Sequence, residues 1–487
     1  MLARSPWTYV AVGIVLASAI IARVDHASPG FDPYGWLVWG YQTLHLNLNL
    51  GGAPSWKPVT FLFIVPYSLA GHYSYWLWIV TAVAFALGGP VVAGRIVFTL
   101  VLEHTRERWP AVLGALWAAV GVLAIAGTPG TVNPYTYTHY WLSAQSDPML
   151  VTCFLLAIDL HLHKHPRWAL TFLFLCSLGR PETWPFMGLY SIWAWRTIPG
   201  MRKLIAVELV LIPLFWFGIP VLSGNQWNIA SKLAYDSPRE LHGNKITGTL
   251  TRFRQLSYWP IEVLALAGLV WAAVRRDWKV VGVAGCVVLW MLVEIAFALH
   301  GYPGVSRYMF EPAGAAIVVS GVAFGWLLSE PRRLAPLPRL AGAAGIVLVA
   351  VLVGFLVPDI SHQVTLERAD IVAQKARTQE IATLNQLIER AGGAAHIRAC
   401  GDPTVDVAWV SILAWYMHMN IGKVGHRPQK MIREPVPVIL FTALQNGWVI
   451  HVYHLGALAQ GNCGLLDRAY FIRDQQHPNG ILGHQEV

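Results

Sequence analysis

Long apolar runs separated by short polar segments make up the first three quarters of the chain. Crossing the hydrocarbon core of a bilayer takes about 20 mainly apolar residues. Runs of that length, or nearly so, occur at 7–23, 75–102, 110–127, 148–163, 168–179, 183–195, 204–222, 260–274, 280–299, 310–328 and 340–357. The pattern predicts a membrane all-α protein, a polytopic bundle of about eleven transmembrane helices.

Two of these runs, 168–179 and 183–195, are short and flank the sequence "GRPETWP". Proline removes a backbone donor and bends or ends a helix. The two runs therefore predict either a helical hairpin bent at Pro181 or one broken helix.

The pattern changes at Asp359, where charged and polar residues become frequent. The stretch "ERADIVAQKARTQEIATLNQLIERAGG" has helical periodicity and ends in glycines suited to a C-cap. "VPVILF" and "GWVIHVY" further on predict strands. We expect residues 1–358 to form a multi-pass transmembrane domain and residues 359–487 a small soluble α/β domain.

A short segment near the start, "LHLNLNLGG" (44–52), alternates apolar and polar positions. Alternation is typical of a strand. Beside a membrane, a segment lying along the bilayer surface is the favoured interpretation.

Basic loops set the expected orientation. If the N-terminus is cytoplasmic, the loops on its side are "EHTRER", "HKHPR", "RTIPGMRK", "RRDWK" and "EPRRLAPLPR", all rich in Lys and Arg. This is the positive-inside pattern. The orientation places these segments outside the plasma membrane: 24–56, 128–147, 180–182, 223–259, 300–308 and everything after 358. Asp32, in "GFDPYGWLVWG", therefore faces the exterior.

The composition agrees with a multi-pass membrane protein. The 487 residues are 55% hydrophobic and only 13% charged, and the 23 Trp and 17 Tyr suit aromatic belts at both interfaces. The formal charge of +9 would fit a nucleic-acid partner. However, the basic residues fall in short loops rather than on one face, so we expect no nucleic acid. The first apolar run lacks a cleavage site and is expected to remain as an anchor.

Cysteine positions agree with an exported C-terminal domain. Three of the five cysteines, Cys153, Cys176 and Cys286, fall in predicted spans, where a thiol fills space as a small apolar group. Cys400 and Cys463 are the two in the exported domain. Because that compartment is oxidising, we predict a disulfide between them.

Four clusters of polar residues lie in segments expected to face outward. Ionisable groups at a membrane edge are costly unless they are paired or hydrated, so four clusters on one side indicate a site. The clusters are Asp25, His26 and Asp32 with "APSWKP" (53–58); His139 and Asp147 in "NPYTYTHYWLSAQSDPM"; Arg180 and Glu182 in "RPE"; and Arg307, Tyr308 and Glu311 in "GYPGVSRYMFEP".

Each cluster also has a purely structural interpretation. Asp32 and Asp147 both precede a proline and could act as helix N-caps. Arg180 and Glu182 could form an ion pair that stabilises a hairpin. Arg307 could anchor lipid headgroups without specificity.

Three further polar residues have a weaker link to function. Glu294, inside a predicted span, could couple protons, although such a residue more often pairs within the bundle. His451 and His454 could ligate a metal, but nothing completes a site, so we favour ordinary surface histidines.

Taken in order, the motifs resemble those of the GT-C membrane glycosyltransferases, which use lipid-linked sugar donors. The sequence has an acid after helix one in "FDPYGWLVWG", an acid-proline in "QSDPM", "RPE" in "LGRPETWP" and R-Y-x-x-x-P in "SRYMFEP". "GGAPSWKP" is similar to a loop of bacterial cell-envelope members, including arabinosyl- and mannosyltransferase-like proteins. The resemblance covers about 1–330. Some members carry two adjacent acids in the first loop, whereas here Asp32 is followed by proline.

The resemblance implies a glycosyltransferase that takes a sugar from a polyprenyl phosphate outside the membrane. The sequence has no glycine-rich nucleotide-binding fingerprint, which agrees with a lipid-linked donor. We expect Asp32 to be the general base that accepts the acceptor's hydroxyl proton. Arg307 suits the leaving phosphate, since its planar fork binds phosphate in two-point fashion. Lys57 and Arg180 are further candidates for the phosphate, and inversion in one displacement is expected.

The remaining site candidates would bind or orient substrates. Tyr308 belongs to this group, and Glu182 is expected to orient Arg180. Asp147 with His139 would bind acceptor hydroxyls or a divalent cation, so a metal is left open. Trp36, Trp39 and Trp56 could stack on sugar faces, although anchoring at the interface is the favoured role for all three.

Two other functions compete with sugar transfer. A lipid or polysaccharide transporter would often show inverted internal repeats, and we see no such symmetry in this sequence. A non-catalytic scaffold for envelope assembly is suggested only by the large exported domain. For the enzyme, the expected acceptor is a cell-envelope glycan or glycolipid.

Overall fold

The chain is mainly helical. The structure, a computed structural model, describes residues 6–52, 54, 56–125, 136–235, 240–329, 338–433, 435–444, 447–454, 463, 466–467, 469–472 and 481–484. The helices are α1 (Pro6–Asp25), α2 (Phe31–Leu44), α3 (Pro58–Ser68), α4 (Ser74–Thr105), α5 (Arg108–Leu123), α6 (Tyr137–Leu142), α7 (Asp147–Leu162), α8 (Pro166–Gly179), α9 (Trp184–Thr197), α10 (Arg202–Pro213), α11 (Ile219–Leu222), α12 (Ile229–Tyr235), α13 (Lys245–Arg254), α14 (Trp259–Arg275), α15 (Trp278–Leu299), α16 (Phe310–Ser329), α17 (Pro338–Arg390), α18 (Gly393–Cys400), α19 (Val410–Tyr416) and α20 (Pro428–Met431).

Six helical segments in the described chain are long and apolar enough to cross a membrane, and the bent pair α13–α14 would make a seventh. The six are Pro6–Asp25, Gly71–Thr105, Pro199–Leu222, Trp278–Leu299, Ser306–Ser329 and Gly342–Arg390. The other predicted spans correspond to α5, α7, α8 and α9, which have only 14 to 16 residues. The sequence estimate of about eleven spans is therefore too high by this measure, because it includes four apolar helices that are shorter than a full span.

The centre of the bundle is α16, which is almost entirely buried. It packs against α4, α5, α7, α14, α15 and α17. Small residues allow close approach: a Cβ on Gly114 of α5 would lie 2.7 Å from the backbone oxygen of Gly321 in α16. Packing of small residues is a usual way for membrane helices to associate, since lipid tails provide no hydrophobic drive between helices.

The region after α1 differs most from the sequence prediction. It contains two helices, α2 and α3, and the 45–57 stretch between them has no strand among its described residues, so the strand alternative for 44–52 is wrong. Helix α2 is not a surface loop: nine of its 14 residues are buried, and it packs against α3 and α19. Its aromatic residues form core contacts, which fixes the N-terminal end of α2 within the bundle.

Close packing at Gly35 of α2 gives a testable expectation for stability. A Cβ there would meet Cδ of Pro54 at 2.2 Å and the Ser411 hydroxyl at 3.2 Å. Gly35→Ala is therefore expected to destabilise the protein by about 1–3 kcal/mol, since an added methyl overpacks a filled core. Thermal unfolding in detergent measures this, with Gly13→Ala as control because no atom lies within 4 Å of a Cβ there. Equal melting temperatures for the two variants would contradict the packing of α2.

The C-terminal part follows the sequence prediction closely. The predicted helix ends at Arg390, before Gly392, whose φ of +95° suits glycine. Both predicted strands are confirmed, as β2 (Val438–Leu444) and β3 (Gly447–Tyr453). With β1 (Asp402–Thr404), β4 (Ala469–Ile472) and β5 (Ile481–His484) they form a sheet in the order β1-β2-β3-β4-β5, parallel only between β1 and β2.

Two features join the C-terminal part to the rest of the chain. Helix α17 is continuous from Pro338 to Arg390, so the expected domain boundary at 358/359 falls within a helix. That helix packs on β3 and β4 as well as on α14 and α16. Within the C-terminal part itself, Cys400 and Cys463 form a disulfide with their Cα atoms 5.6 Å apart. The division into two domains stays a prediction.

Candidate active site

The N-terminal end of α2 positions Asp32. The helix begins at Phe31 with Gly30 as its N-cap, and the Gly30 N–H donates to the Ser143 carbonyl at 2.8 Å. No side chain caps α2, so the N-cap interpretation of Asp32 is wrong. The carboxylate is free to interact across the space between helices.

Asp32 and Arg307, separated by 275 positions in sequence, meet at this point. Asp32 Oδ2 lies 3.7 Å from Arg307 Nη1, and each side chain is about one-fifth exposed. A distance of 3.7 Å exceeds a hydrogen bond, so neither group is saturated by the other. Arg307 Nε is buried and has no hydrogen-bond partner within the described chain. A buried unsatisfied donor is costly, so this N–H is expected to donate a hydrogen bond to an oxygen atom of a ligand.

Arg180 holds the backbone of Arg307 in place. Its Nη2 donates to the Arg307 carbonyl at 3.0 Å, and its guanidinium lies 4.3 Å from the Tyr308 ring centroid. The same guanidinium is paired with Asp147, and its Nε is 3.5 Å from Glu311. Two carboxylates therefore balance the charge of Arg180, which makes it a support for Arg307 rather than a ready phosphate ligand.

Two predicted roles change as a result of these contacts. Within the described residues, the ion pairs of Arg180 go to Asp147 and Glu311, not to Glu182 as expected. Asp147 does not cap α7, whose N-cap is Ser146, so its N-cap interpretation is also wrong. Its buried carboxylate pairs with Arg180.

Lys57 is a buried cation beside this network. It lies in the segment joining α2 to α3, donates to the Ser146 hydroxyl at 3.2 Å, and stands 5.8 Å from the ring centroid of Trp36. Burial lowers the pKa of Lys57 to about 8. At neutral pH the side chain still carries most of its charge, so it remains available to an anionic ligand.

A polar cavity of about 760 Å³ opens at the Asp32–Arg307 pair. Its walls include residues of α2, α6, α12, the segment before α16, α17 and the start of α19. The charged or histidine side chains in its lining are Asp32, His139, Arg307, Asp370, Arg377 and Glu380. The cavity therefore joins the predicted base and the predicted phosphate ligand in one space that also has polar groups on its far wall.

His139 lies on that far wall, oriented by α17. Its Nδ1 is 3.4 Å from Asp370 Oδ1, and Gln374 contacts the same nitrogen at 3.0 Å. The other oxygen of Asp370 accepts bonds from the Thr136 N–H and hydroxyl at 3.0 and 2.7 Å. Because Asp370 is fixed by these bonds, its contact with Nδ1 fixes the orientation of the His139 ring. His139 and Asp147, expected to act together, line different places: His139 faces the cavity, whereas Asp147 is buried with Arg180.

An aromatic cavity of about 410 Å³ adjoins the polar one, and Ala234 and Tyr308 line both. Its lining includes seven aromatic residues besides Tyr308, namely Trp56, Trp184, Trp216, Phe217, Trp227, Phe297 and Tyr302. Lys57, Arg180, Glu182 and Glu294 provide its polar end. Such a space fits a flexible hydrocarbon chain that ends in an anionic group.

The three tryptophans proposed for sugar stacking have other positions. Trp36, Trp39 and Trp56 are each only 1% exposed. Trp36 packs edge-on against Trp78, and Trp56 Nε1 donates to the Phe215 carbonyl at 3.0 Å. Burial rules out interface anchoring for these three, and Trp56 lines the aromatic cavity.

The arrangement offers little for a metal ion. Among the residues that the structure describes, no three His, Cys, Asp or Glu side chains group closely enough to hold one. Asp147, the expected ligand, is already neutralised by Arg180. The residues present therefore do not fit a divalent cation at the expected pair.

Sequence reasoning missed the contribution of α17 to the cavity. Asp370, Gln374 and Arg377 all line it, spaced i, i+4 and i+7, which places them on one helix face. Glu380 follows one turn later. That run of polar residues at helical spacing is the signal that could have identified the wall.

Comparisons with known proteins give a fold-level likeness only. No protein-family model matches the chain, and no curated protein matches it. One solved structure, titled "Crystal Structure of ArnT from Cupriavidus metallidurans in the apo state", is similar with a TM-score of 0.44 and 13% sequence identity. The match covers 89% of this chain and 92% of that chain. A similarity this low carries no conclusion about the function of this chain.

Proposed function

We propose that the protein is a glycosyltransferase that moves a sugar from a polyprenyl-phosphate donor to a glycan or glycolipid acceptor on the outer face of the plasma membrane. One observation carries the proposal. A carboxylate, Asp32, and an incompletely bonded cation, Arg307, face each other at 3.7 Å where a polar cavity meets an aromatic one. Sugar transfer from a lipid phosphate needs these two groups and these two kinds of space.

The donor's isoprenoid chain would occupy the aromatic cavity. Its ring-lined wall is apolar, and Trp227 at its edge is 60% exposed, which gives a lipid tail lateral access. The phosphate would lie where Ala234 and Tyr308 line both cavities. Lys57 on the aromatic side and Arg307 on the polar side would share its charge.

The sugar and the acceptor would share the polar cavity. A space of about 760 Å³ can hold more than one sugar ring, and ligand cavities of several hundred Å³ are usual. His139, Asp370 and Gln374 on the α17 side would hydrogen-bond hydroxyl groups.

The reaction would proceed as a single displacement. An acceptor hydroxyl oxygen attacks the anomeric carbon while Asp32 takes the hydroxyl proton, which contributes about 10²–10⁴-fold in rate. The bond between the anomeric carbon and the phosphate oxygen breaks, and the polyprenyl phosphate leaves with the electron pair. Arg307 and Lys57 stabilise the charge that develops on the phosphate. Attack opposite the leaving group inverts the anomeric configuration.

Transfer and transport can be separated in one experiment. The purified chain is placed in liposomes with a polyprenyl phosphate carrying a radiolabelled sugar and a fragmented cell-envelope glycan as acceptor. A glycosyltransferase forms a new glycosidic bond, detected as label in the glycan. Label that crosses the bilayer still attached to its lipid would indicate a transporter instead. If neither a new glycosidic bond nor transport of the label is detected, the result would indicate a scaffold.

The pKa of Lys57 predicts how transfer depends on pH. As the pH rises through about 8, the buried amine loses its charge, and kcat/KM for the donor is expected to fall tenfold per unit. Stability changes in the opposite sense. Because the folded state lowers this pKa, deprotonation of Lys57 above pH 8 relieves a buried charge and stabilises the fold up to the ordinary pKa near 10.5.

Lys57→Arg is the matched control for this pH effect, because a guanidinium stays charged throughout the range. Its alkaline limb should move above pH 10 even if its rate at pH 7 is lower. Profiles measured at several donor concentrations test this. An alkaline limb near pH 8 in both proteins would assign the titration to another group.

A further inference from the structure

A second cleft lies at the opposite end of α2 from Asp32. It has a volume of about 470 Å³ and is formed by the end of α2, the turn between α3 and α4, and the 414–423 segment. Ten residues separate Asp32 from Gln42, which is about 15 Å along the helix. None of the residues that line this cleft also lines the polar cavity or the aromatic cavity.

The lining of this cleft is rich in hydrogen-bond donors and potential cations. None of the described residues that line it carries a carboxylate. Its basic side chains are His45, His72, Arg398, His418 and Lys423. Two full positive charges and three imidazoles, with no carboxylate among the described lining residues, favour an anionic ligand.

Gln42 on the cleft floor gives independent evidence for a ligand. The residue is 4% exposed, and its Oε1 accepts a bond from the Asn49 N–H at 3.1 Å. Its Nε2 is buried and has no hydrogen-bond partner within the described chain. An oxygen atom of a ligand would satisfy this donor, which otherwise bears a desolvation cost.

The rim of the cleft indicates where such an anion comes from. Three large apolar side chains beside the lining residues are exposed: Leu46 by 97%, Leu69 by 77% and Tyr73 by 60%. Exposed apolar groups around a basic, donor-lined pocket match a phospholipid, whose headgroup is anionic and whose acyl chains are apolar.

We propose that this cleft binds the phosphate of an anionic phospholipid, with the headgroup on Gln42, Arg398 and Lys423 and the acyl chains along the exposed rim. The site is separate from the proposed sugar-transfer cavity and does not depend on that function. Binding at this site would hold the C-terminal end of α2 against a lipid molecule.

Lipid binding by the full-length protein tests the proposal. Native mass spectrometry in detergent compares phosphatidylglycerol with phosphatidylcholine of identical acyl chains. We expect at least tenfold preference for phosphatidylglycerol. Glycerol phosphate serves as a soluble competitor: displacement indicates that the phosphate is recognised without the tails, and no displacement indicates that the intact lipid is required. Both results support phosphate binding, whereas equal retention of the two lipids would overturn it.

Two variants locate the binding in this cleft. Gln42→Glu keeps an acceptor for the Asn49 N–H and replaces the Nε2 donor with a negative oxygen, so phosphatidylglycerol affinity should fall at least tenfold. Lys423→Glu changes an exposed side chain without touching the core and should also lower it. Arg433→Glu is the control, since Arg433 is an exposed cation that does not line the cleft. If Lys423→Glu and Arg433→Glu bind phosphatidylglycerol equally well, the assignment fails.

Discussion

Replacing Asp32 with asparagine is expected to lower the rate of sugar transfer by about 10²–10⁴-fold, the usual contribution of a positioned general base. The amide keeps the size of the side chain but cannot accept a proton. Arg307 loses its nearest carboxylate in this variant, so binding of the donor phosphate should be unchanged or tighter. The expected signature is a lower kcat without a higher KM for the donor.

The control for Asp32→Asn is Asp25→Asn. Asp25 ends α1 at the same end of the bundle and does not line the polar cavity. Single-turnover transfer from a labelled donor, with donor binding measured separately, distinguishes loss of chemistry from loss of binding. The pair between Asp32 and Arg307 is partly exposed, so its removal should cost little stability. Transfer that proceeds at the normal rate in Asp32→Asn would remove the general-base role.

The order of polar motifs along the sequence predicts that Asp32 and Arg307 belong to one candidate site. Both residues occur in short motifs far apart in the sequence, and in the structure Asp32 Oδ2 lies 3.7 Å from Arg307 Nη1. The reason is topological: if both segments follow or precede spans at the same membrane face, the bundle brings them to one end. Distances between the side chains do not follow from the motif order, because side-chain pairing depends on packing that a hydrophobicity pattern does not contain.

Arg180 illustrates what the pattern could not predict. In sequence its nearest acid is Glu182, two residues away, but that residue lies in the short 3₁₀ turn Pro181–Thr183, and residues two apart in a helical turn do not face each other. Its partners in the structure, Asp147 and Glu311, come from the starts of two other helices. Burial then decides the pairing, since a buried guanidinium is stable only where carboxylates approach closely enough to offset its desolvation.

Helix α2 was missed for a related reason. Its 14 residues are too few to span a membrane and too aromatic to be recognised as an amphipathic surface helix. It is buried on several sides by α3 and α19, and α19 belongs to the C-terminal part of the chain. A segment whose burial depends on residues about 380 positions away carries no local signal of it.

Replacing Arg307 with alanine is expected to lower kcat/KM for the donor by about 10²–10³-fold, the loss typical when one electrostatic ligand of a transition-state anion is removed. The side chain supplies a buried Nε without a partner in the described chain and a terminal nitrogen near Asp32. Arg307→Lys keeps the charge but not the planar fork, so an intermediate loss is expected. Binding of sugar-free polyprenyl phosphate, followed by tryptophan fluorescence, should weaken in the same order.

The fold should survive these changes at Arg307, because the bond from Arg180 goes to its backbone carbonyl and remains in every variant. Arg254→Ala is the matched control: Arg254 is 73% exposed, pairs with Glu262 on the surface and lines neither cavity. If Arg307→Ala bound polyprenyl phosphate as tightly as Arg254→Ala does, the phosphate would have to rest on Lys57 alone. In that case, loss of the Lys57 charge above pH 8 should abolish donor binding in both variants. Binding of polyprenyl phosphate to Arg307→Ala and Arg254→Ala, measured across pH, decides this point.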